Sequence, residues 1–163
     1  MHGRFEPLSL AAMVKDALDR PYAGGFAGGV HHFALRVYFE DTDLTGIVYH
    51  ANYLRYMERA RSDMLRAAGI DQRAAHEAGE GAYAVADLAI RYRRPARLDD
   101  ALVVHSRVID VRAASCAIHQ RVMRGDEVLA EADVTAAFLS PAGRPRRQPR
   151  AWVEAFERLR EVS

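Results

Sequence analysis

The sequence predicts an α+β fold in which an antiparallel sheet of about five strands curves around one long helix. A segment near residue 60 has apolar side chains at helical spacing, whereas four later segments have the length and alternation of strands. Glycine, proline and aspartate residues separate these segments. The order of one strand, a long helix and then four strands is typical of an antiparallel sheet with a helix packed on it.

The predicted central helix begins near Tyr53 and is stopped by Gly69, a residue that commonly ends helices in a left-handed conformation. Its apolar side chains recur every three or four residues, and charged residues occupy the positions between them. The members of this stripe are Tyr53, Tyr56, Met57, Ala60, Met64 and Ala68. A helix with such an apolar face needs a sheet or another helix to cover it.

The first strand is predicted over His32–Glu40, because alternate residues from Phe33 to Phe39 are apolar. A connecting segment at 71–81 precedes the rest of the sheet. The four later strands are predicted at Ala82–Tyr92, Ala101–Val111, Ser115–Arg124 and Glu127–Leu139. A short terminal helix over Trp152–Leu159 follows the prolines that end the sheet.

The first 30 residues differ from the rest of the chain. A short amphipathic stretch, Leu8–Leu18 with Ser9 as its predicted cap, precedes Pro21 and the four glycines at 24, 25, 28 and 29. Such a glycine-rich segment is typical of a flexible link, and the stretch is shorter than the roughly 12 residues of a self-standing helix. We therefore expect a flexible, dispensable leader over residues 1–30 and one domain over residues 31–163.

Composition excludes several classes of protein. The 163 residues carry 23 basic and 22 acidic side chains, a net charge of +1, so no overall field attracts nucleic acid. Cys116 is the one cysteine, which excludes an internal disulfide framework. The apolar run Leu10–Val14 is too short for a signal peptide or a membrane span. We expect a soluble, cytoplasmic protein, with peripheral contact between the arginines at 144–150 and anionic lipid as a minority alternative.

The segment between the first strand and the helix carries the candidate chemistry. Asp41, Asp43 and His50 precede a helix whose first N–H groups have no intrahelical acceptor and can polarise a carbonyl oxygen. A carboxylate facing such an oxyanion site is a layout for acyl transfer. Spacing alone favours a structural interpretation, with an Asx turn at Asp41 or Asp43 and Asn52 as the helix cap.

At these residues the sequence resembles the 4-hydroxybenzoyl-CoA thioesterase family. The shared signature covers eighteen positions and includes Arg36-Val37, Thr42-Asp43, Gly46-Ile47-Val48-Tyr49 and Asn52-Tyr53. The wider run from Arg36 to Gly69 is most similar to YbgC-type acyl-CoA thioesterases, which are associated with the Tol-Pal system. This resemblance implies the hotdog fold, a sheet wrapped round a helix, with active sites at the interface of a homodimer or homotetramer.

The resemblance also implies roles for individual residues. Asp43 matches the catalytic carboxylate, acting as nucleophile or general base, and the N–H of His50 matches the group that polarises the thioester carbonyl. The imidazole of His50 matches a further position implicated in YbgC-like members. Substrate-binding roles fall on the rest of the signature, at Gly46, Ile47, Val48, Tyr49 and Asn52.

Three other positions have competing interpretations. Arg112 matches a phosphate-binding arginine of the family, but the next two residues are alanines where basic residues are expected, which favours a plain surface arginine. Glu58 is a second candidate carboxylate, although an ion pair with Arg61 or Arg55 is favoured. Phe39 stands where many YbgC-like members have a tyrosine, so the role of that hydroxyl is not carried over.

The implied activity is hydrolysis of an acyl-CoA thioester. Coenzyme A is part of the substrate, and we expect neither a separate cofactor nor a metal. One alternative is a hotdog dehydratase, against which Asp43 argues. Another is a scaffold at the cell envelope that binds acyl chains or acyl carrier protein without turning them over.

Overall fold

The computed structural model describes residues 9–162, and within them it contains one six-stranded antiparallel sheet and four α-helices. The strand order is β1-β2-β4-β5-β6-β3. The elements are α1 (Leu10–Leu18), β1 (Gly25–Ala27), β2 (Val30–Arg36), α2 (His50–Ala67), α3 (Gln72–Glu77), β3 (Ala82–Tyr92), β4 (Ala101–Val111), β5 (Ser115–Arg124), β6 (Glu127–Leu139) and α4 (Arg150–Glu161). None of the helices within residues 9–162 has the length and apolar composition needed to cross a membrane.

The central helix α2 packs its apolar stripe against the sheet, as the sequence predicts. Tyr56, Met57 and Ala60 are fully buried and belong to one core cluster with residues of β4, β5 and β6. Each large side chain buried in this way contributes about 1.5–3 kcal/mol to folding. The helix starts at His50, three residues before the predicted start, and Gly69 follows its end with a φ of 78°.

The first strand is shorter than predicted. It ends at Arg36, and Phe39–Asp41 forms a 3₁₀ turn in which the Asp41 carboxylate accepts a hydrogen bond from the Tyr38 N–H at 2.8 Å. Phe39 is therefore 82% exposed instead of buried. The other four strands have the predicted bounds.

The prediction of a flexible link, made from the N-terminal glycines, is wrong for residues 24–29. Gly25–Ala27 pairs with Val30–His32 as strand β1, which is why the sheet has six strands instead of about five. The N–H of Gly24 donates to the buried Asp63 carboxylate at 2.8 Å, and that carboxylate also bonds His31 at 2.9 Å. The sheet therefore starts before the expected domain boundary at residue 31. Ser9 caps α1 as predicted, whereas Leu8 and the seven residues before it lie outside the described part of the chain.

A bulge in β4 changes which residues face the helix. Val108 pairs with Ile118, and Asp110 pairs with Ala117, so Ile109 is an extra residue without a partner on β5. Beyond it, Val111 pairs with the buried Cys116 and joins the second core cluster. Two similar irregularities leave Ala86 extra in β3 and Leu129 extra in β6. Bulges increase the local twist of a sheet and so help it to curve round α2.

Substitution of two adjacent glycines tests whether the N-terminal strand is part of the domain. A Cβ at Gly24 would lie 2.2 Å from the His32 carbonyl oxygen, whereas a Cβ at Gly25 meets nothing within 4 Å. We expect Gly24→Ala to lower the free energy of unfolding by about 1–3 kcal/mol. Gly25→Ala is the matched control and should change it by less than about 0.5 kcal/mol. Urea denaturation of both variants is the measurement, and equal stability would mean that the segment does not pack as described.

Candidate active site

The predicted catalytic segment forms a small hairpin. Thr42 and Val48 face each other as an antiparallel bridge, and the Asp43 N–H donates to the Ile47 carbonyl at 3.0 Å. The Gly46 N–H closes the turn on the Asp43 carbonyl at 2.9 Å. Gly46 has a φ of 74°, a conformation that glycine adopts without strain. The turn therefore holds Asp43 at one side of the hairpin and Gly46 at its tip.

Asp41 joins this hairpin to the start of α2. Its carbonyl oxygen accepts hydrogen bonds from the Tyr49 N–H and from the Asn52 side-chain amide, both at 2.9 Å. Its carboxylate closes the preceding turn on Tyr38, and the residue is only 7% exposed. Burial, followed by the Asp41 charge, raises the pKa of Tyr56 on the next turns of α2. Asp41 is therefore a structural residue, as the sequence indicates.

The segment at 96–97 holds the other side of the hairpin. The Val48 N–H donates to the Ala96 carbonyl at 2.9 Å, and the Ala96 N–H donates to the Tyr53 hydroxyl at 2.8 Å. Ile47 forms an isolated bridge with Arg97. The hairpin is thus tied at both edges to elements that belong to the core.

The Asp43 carboxylate is exposed and accepts two hydrogen bonds from Thr45. The Thr45 hydroxyl donates at 2.5 Å and the Thr45 N–H at 2.8 Å, both to Oδ1. These bonds, with a smaller contribution from nearby His50, lower the pKa of Asp43 below its ordinary value. The Asx turn predicted as a structural alternative is present, and it keeps the carboxylate ionised.

His50 is the first residue of α2, so its N–H belongs to the helix terminus that carries partial positive charge. The imidazole lies against Tyr49, with ring centroids 4.4 Å apart, and makes an edge contact with Tyr92 at 6.2 Å. The Tyr92 hydroxyl donates to the His50 carbonyl at 3.0 Å. This tyrosine from β3, which sequence reasoning did not single out, fixes the start of the helix against the sheet.

Val48 and Asn52, two predicted substrate contacts, make contacts that stabilise the fold instead. Val48 is 3% exposed and lies in the core, with its N–H already bonded to Ala96. Asn52 is buried at the third helical position, and Tyr49, not Asn52, occupies the cap position. The side-chain amide of Asn52 donates to the Asp41 carbonyl, so it supports the hairpin. Gly46, Ile47 and Tyr49 keep surface exposure beside Asp43.

The structure does not bring Arg112 to Asp43 within one chain. β4 begins beside the hairpin, where Val37 donates to the Asp100 carbonyl, and Arg112 follows its far end. The 11 residues of β4 span roughly 35 Å. Arg112 pairs with Asp110 at 2.8 Å, and Glu58 pairs with Arg61, as the structural interpretations of both residues predict.

A cavity of about 460 Å³, including its open mouth, lies between α2 and the sheet. Its apolar walls include Leu65, Val85, Ile118 and Phe156, and the Glu58–Arg61 pair supplies polar groups. Cys116 also lines it, but burial raises the pKa of that thiol to about 12, so it stays protonated. Within residues 9–162, no cluster of three or more His, Cys, Asp or Glu side chains is arranged to hold a metal ion.

A family model decides what these features belong to. The model of the thioesterase-like superfamily matches residues 37–156, which include the hairpin, α2 and β3 to β6. The chain belongs to the thioesterase-like superfamily.

Two curated relatives and one solved structure place this superfamily member more closely. The acyl-CoA thioesterase YbgC of Haemophilus influenzae is 40% identical over 129 residues, which cover 78% of this chain and 95% of the relative. The acyl-CoA thioester hydrolase YbgC of Escherichia coli is 38% identical over 125 residues, covering 76% and 92%. A structure described as a probable thioesterase from Bartonella henselae superposes with a TM-score of 0.71 at 36% identity, over 74% of this chain and 99% of that one. The YbgC-type resemblance and the hotdog fold are both confirmed.

Replacement of Thr45 in this superfamily member tests what keeps Asp43 ionised. Thr45→Val removes the hydroxyl donor but keeps the backbone donor, so the pKa of Asp43 should rise towards its ordinary value. If the ionised Asp43 is the catalytic carboxylate, the acid limb of kcat/KM should move to higher pH. Thr42→Val is the control, since the Thr42 hydroxyl donates to the Phe39 carbonyl. The pH–rate profiles of the two variants provide the comparison, and coincident acid limbs would argue against the Thr45 effect.

Proposed function

We propose that the protein hydrolyses acyl-CoA thioesters to the free acid and coenzyme A. One observation carries the proposal: the ionised Asp43 carboxylate lies near the N-terminal end of α2, which begins at His50. This arrangement occurs in a chain of the thioesterase-like superfamily. The YbgC relatives, named as acyl-CoA thioesterases, support the same substrate class.

In the proposed reaction, the thioester carbonyl oxygen accepts a hydrogen bond from the His50 N–H at the helix terminus. That donor and the helix dipole stabilise the negative charge that develops on this oxygen. As a general base, Asp43 takes a proton from water while the water oxygen attacks the carbonyl carbon. The C–S bond then breaks, and the sulfur leaves as a thiolate that takes up a proton.

Asp43 can also act as the nucleophile. Its carboxylate oxygen then attacks the carbonyl carbon directly, the C–S bond breaks, and water hydrolyses the resulting mixed anhydride. Both routes need Asp43 ionised, which the Thr45 hydrogen bonds favour. Label in Asp43 after a single turnover in ¹⁸O-labelled water identifies the nucleophilic route, because only an anhydride attacked at the Asp43 carboxyl carbon transfers water oxygen to that side chain.

We also propose that the active form is a homodimer or homotetramer. β3 is an 11-residue strand at the edge of the sheet, and Val85 on it is 49% exposed. A long edge strand with exposed apolar side chains is prone to pair with another chain. The cavity beside α2 is lined in part by Val85 of β3, so a partner paired there would also border that cavity.

The YbgC-type resemblance alone supports three further proposals. The protein acts in the cytoplasm, it has a functional link to the Tol-Pal system, and acyl carrier protein is a second carrier of its acyl substrates. A free-thiol assay with a panel of acyl-CoAs tests the activity itself. Thiol release supports hydrolysis, hydration without thiol release supports a dehydratase, and tight binding with neither supports a scaffold.

The catalytic assignment predicts a large effect at Asp43. Asp43→Asn keeps the shape of the side chain but removes its charge, so turnover should fall by about 100-fold or more while KM changes little. His50→Ala keeps the backbone N–H and should cost less. Steady-state kinetics on one acyl-CoA measures both variants. If Asp43→Asn kept near-full activity and Glu58→Gln lost it, the catalytic carboxylate would have to be assigned to Glu58 on α2.

The interface assignment predicts an effect at the sheet edge. The wild-type protein should have at least twice the 18.2 kDa mass of one chain by light scattering at micromolar concentration. Val85→Lys places a charge on β3 and should shift the protein towards monomer and lower its activity. Ile109→Lys is the matched control, because Ile109 is similarly exposed, at 40%, on the central strand β4. A monomeric wild-type protein with full activity would contradict the proposed interface.

A further inference from the structure

The outer face of the sheet, which points away from α2, carries a second pocket. It encloses about 490 Å³ including its open mouth, and no carboxylate lines it. The lining residues come from β2, β4 and β5 and are Val30, His105, Arg107, His119 and Arg121. Four of these five side chains are cationic or can become so.

Strand register brings these four residues together. β4 contributes His105 and Arg107, and β5 contributes His119 and Arg121. His105 pairs with Arg121, and Arg107 pairs with His119, so each histidine faces an arginine. The residues between them, Ser106 and Gln120, are fully buried on the helix side, where the Gln120 amide donates to the Met57 carbonyl at 3.0 Å. Alternation therefore places all four on the outer face.

The positive charge of this pocket is only partly matched by carboxylates. Within the described part of the chain, Arg107 forms no ion pair. Arg121 reaches Glu131 only at 4.0 Å, and Glu131 is already paired with Arg93. Asp133, the other nearby acid, bonds Nδ1 of His119 at 2.7 Å.

The two histidines respond to this environment in different ways. Asp133 orients the His119 ring, and the opposite nitrogen, Nε2, is buried without a hydrogen-bond partner among the described residues. A buried polar atom of this kind indicates a bound water or ion that completes its hydrogen bonding. Burial lowers the pKa of His105, and the neighbouring His32 ring and Arg121 lower it further. A bound anion would reverse these charge effects.

We propose that this outer-face pocket binds the phosphate group of a small phosphorylated ligand. Two guanidinium groups with adjacent imidazoles provide charge-assisted donors suited to phosphate oxygens. A single compact pocket on a chain of net charge +1 suits a small ligand better than a nucleic acid, which needs an extended basic surface.

The phosphate has two chemical sources. One is free phosphate or a phosphorylated metabolite, and the other is the nucleotide part of an acyl-CoA. Because the pocket lies on the face of the sheet opposite α2, a nucleotide bound here would come from the active site of another subunit. The nucleotide source rests on the proposed hydrolysis of acyl-CoA. Phosphate binding by the pocket does not depend on that activity.

Nuclear magnetic resonance of the histidine rings tests the site directly, with inorganic phosphate as the probe. Phosphate should shift the His105 and His119 signals saturably and raise the pKa of His105. Arg107→Gln and Arg121→Gln should each weaken binding by about tenfold or more. Arg73→Gln is the matched control, because Arg73 is exposed and paired with Glu77 on α3. Circular dichroism checks that each variant folds, and absence of a saturable shift in the folded wild-type protein would overturn the site.

Two comparisons then distinguish the sources. The nucleotide source is supported by two results together. Adenosine 3′,5′-bisphosphate binds more tightly than phosphate, and Arg107→Gln raises the KM for acyl-CoA but not for acyl-pantetheine. The pocket would then bind the nucleotide of an acyl-CoA held by a neighbouring subunit. Equal binding of the two probes with unchanged KM supports free phosphate. If the wild-type protein lacks thioesterase activity but binds phosphate as described, the proposed function fails while the pocket stands.

Discussion

Burial of one face of α2 against a single sheet is the constraint on which the other features depend. The stripe from Tyr53 to Met64 is almost fully buried, so neither the rotation of the helix nor its position along the sheet can change without opening the core. The start of the helix is consequently fixed, and Asp41 links that start to the hairpin through its carbonyl oxygen. Core packing, more than any contact made by Asp43 itself, therefore sets where the Asp43 carboxylate lies relative to the helix terminus.

Much of this fold could be predicted because the residues of α2 and of the four later strands follow simple periodicities. β6 is the clearest example, since Ala130, Ala132 and Val134 alternate with exposed or half-buried residues. Prediction failed where a specific hydrogen bond, distant or local, overrides the residue pattern. The glycine at position 24 favours a flexible segment, yet its N–H donates a hydrogen bond to a carboxylate 39 residues away on α2. Phe39 continues an apolar alternation, but a hydrogen bond from the Tyr38 N–H to the Asp41 carboxylate ends the extended conformation before that residue.

The candidate site was likewise predictable only in part. The signature indicated Asp43 and the N–H of His50, and both lie in one local segment of chain. It did not reveal which neighbours hold that segment, because Tyr92 and the Ala96–Tyr53 contact come from distant parts of the sequence. The outer-face pocket did have a signal, the tripeptides His105-Ser106-Arg107 and His119-Gln120-Arg121 on neighbouring strands. Their alignment depends on the bulge in β4, which the sequence alone does not place.

That bulge also determines where this domain can change in length. Val108 and Asp110 are already paired with consecutive residues of β5, so loss of Ile109 would leave a regular ladder with every partner retained. An insertion or deletion elsewhere in β4 would instead turn all the side chains beyond it to the opposite face. Position 109 is thus the one place in this strand where an evolutionary gap preserves the core, at the cost of some of the curvature that wraps the sheet round its helix.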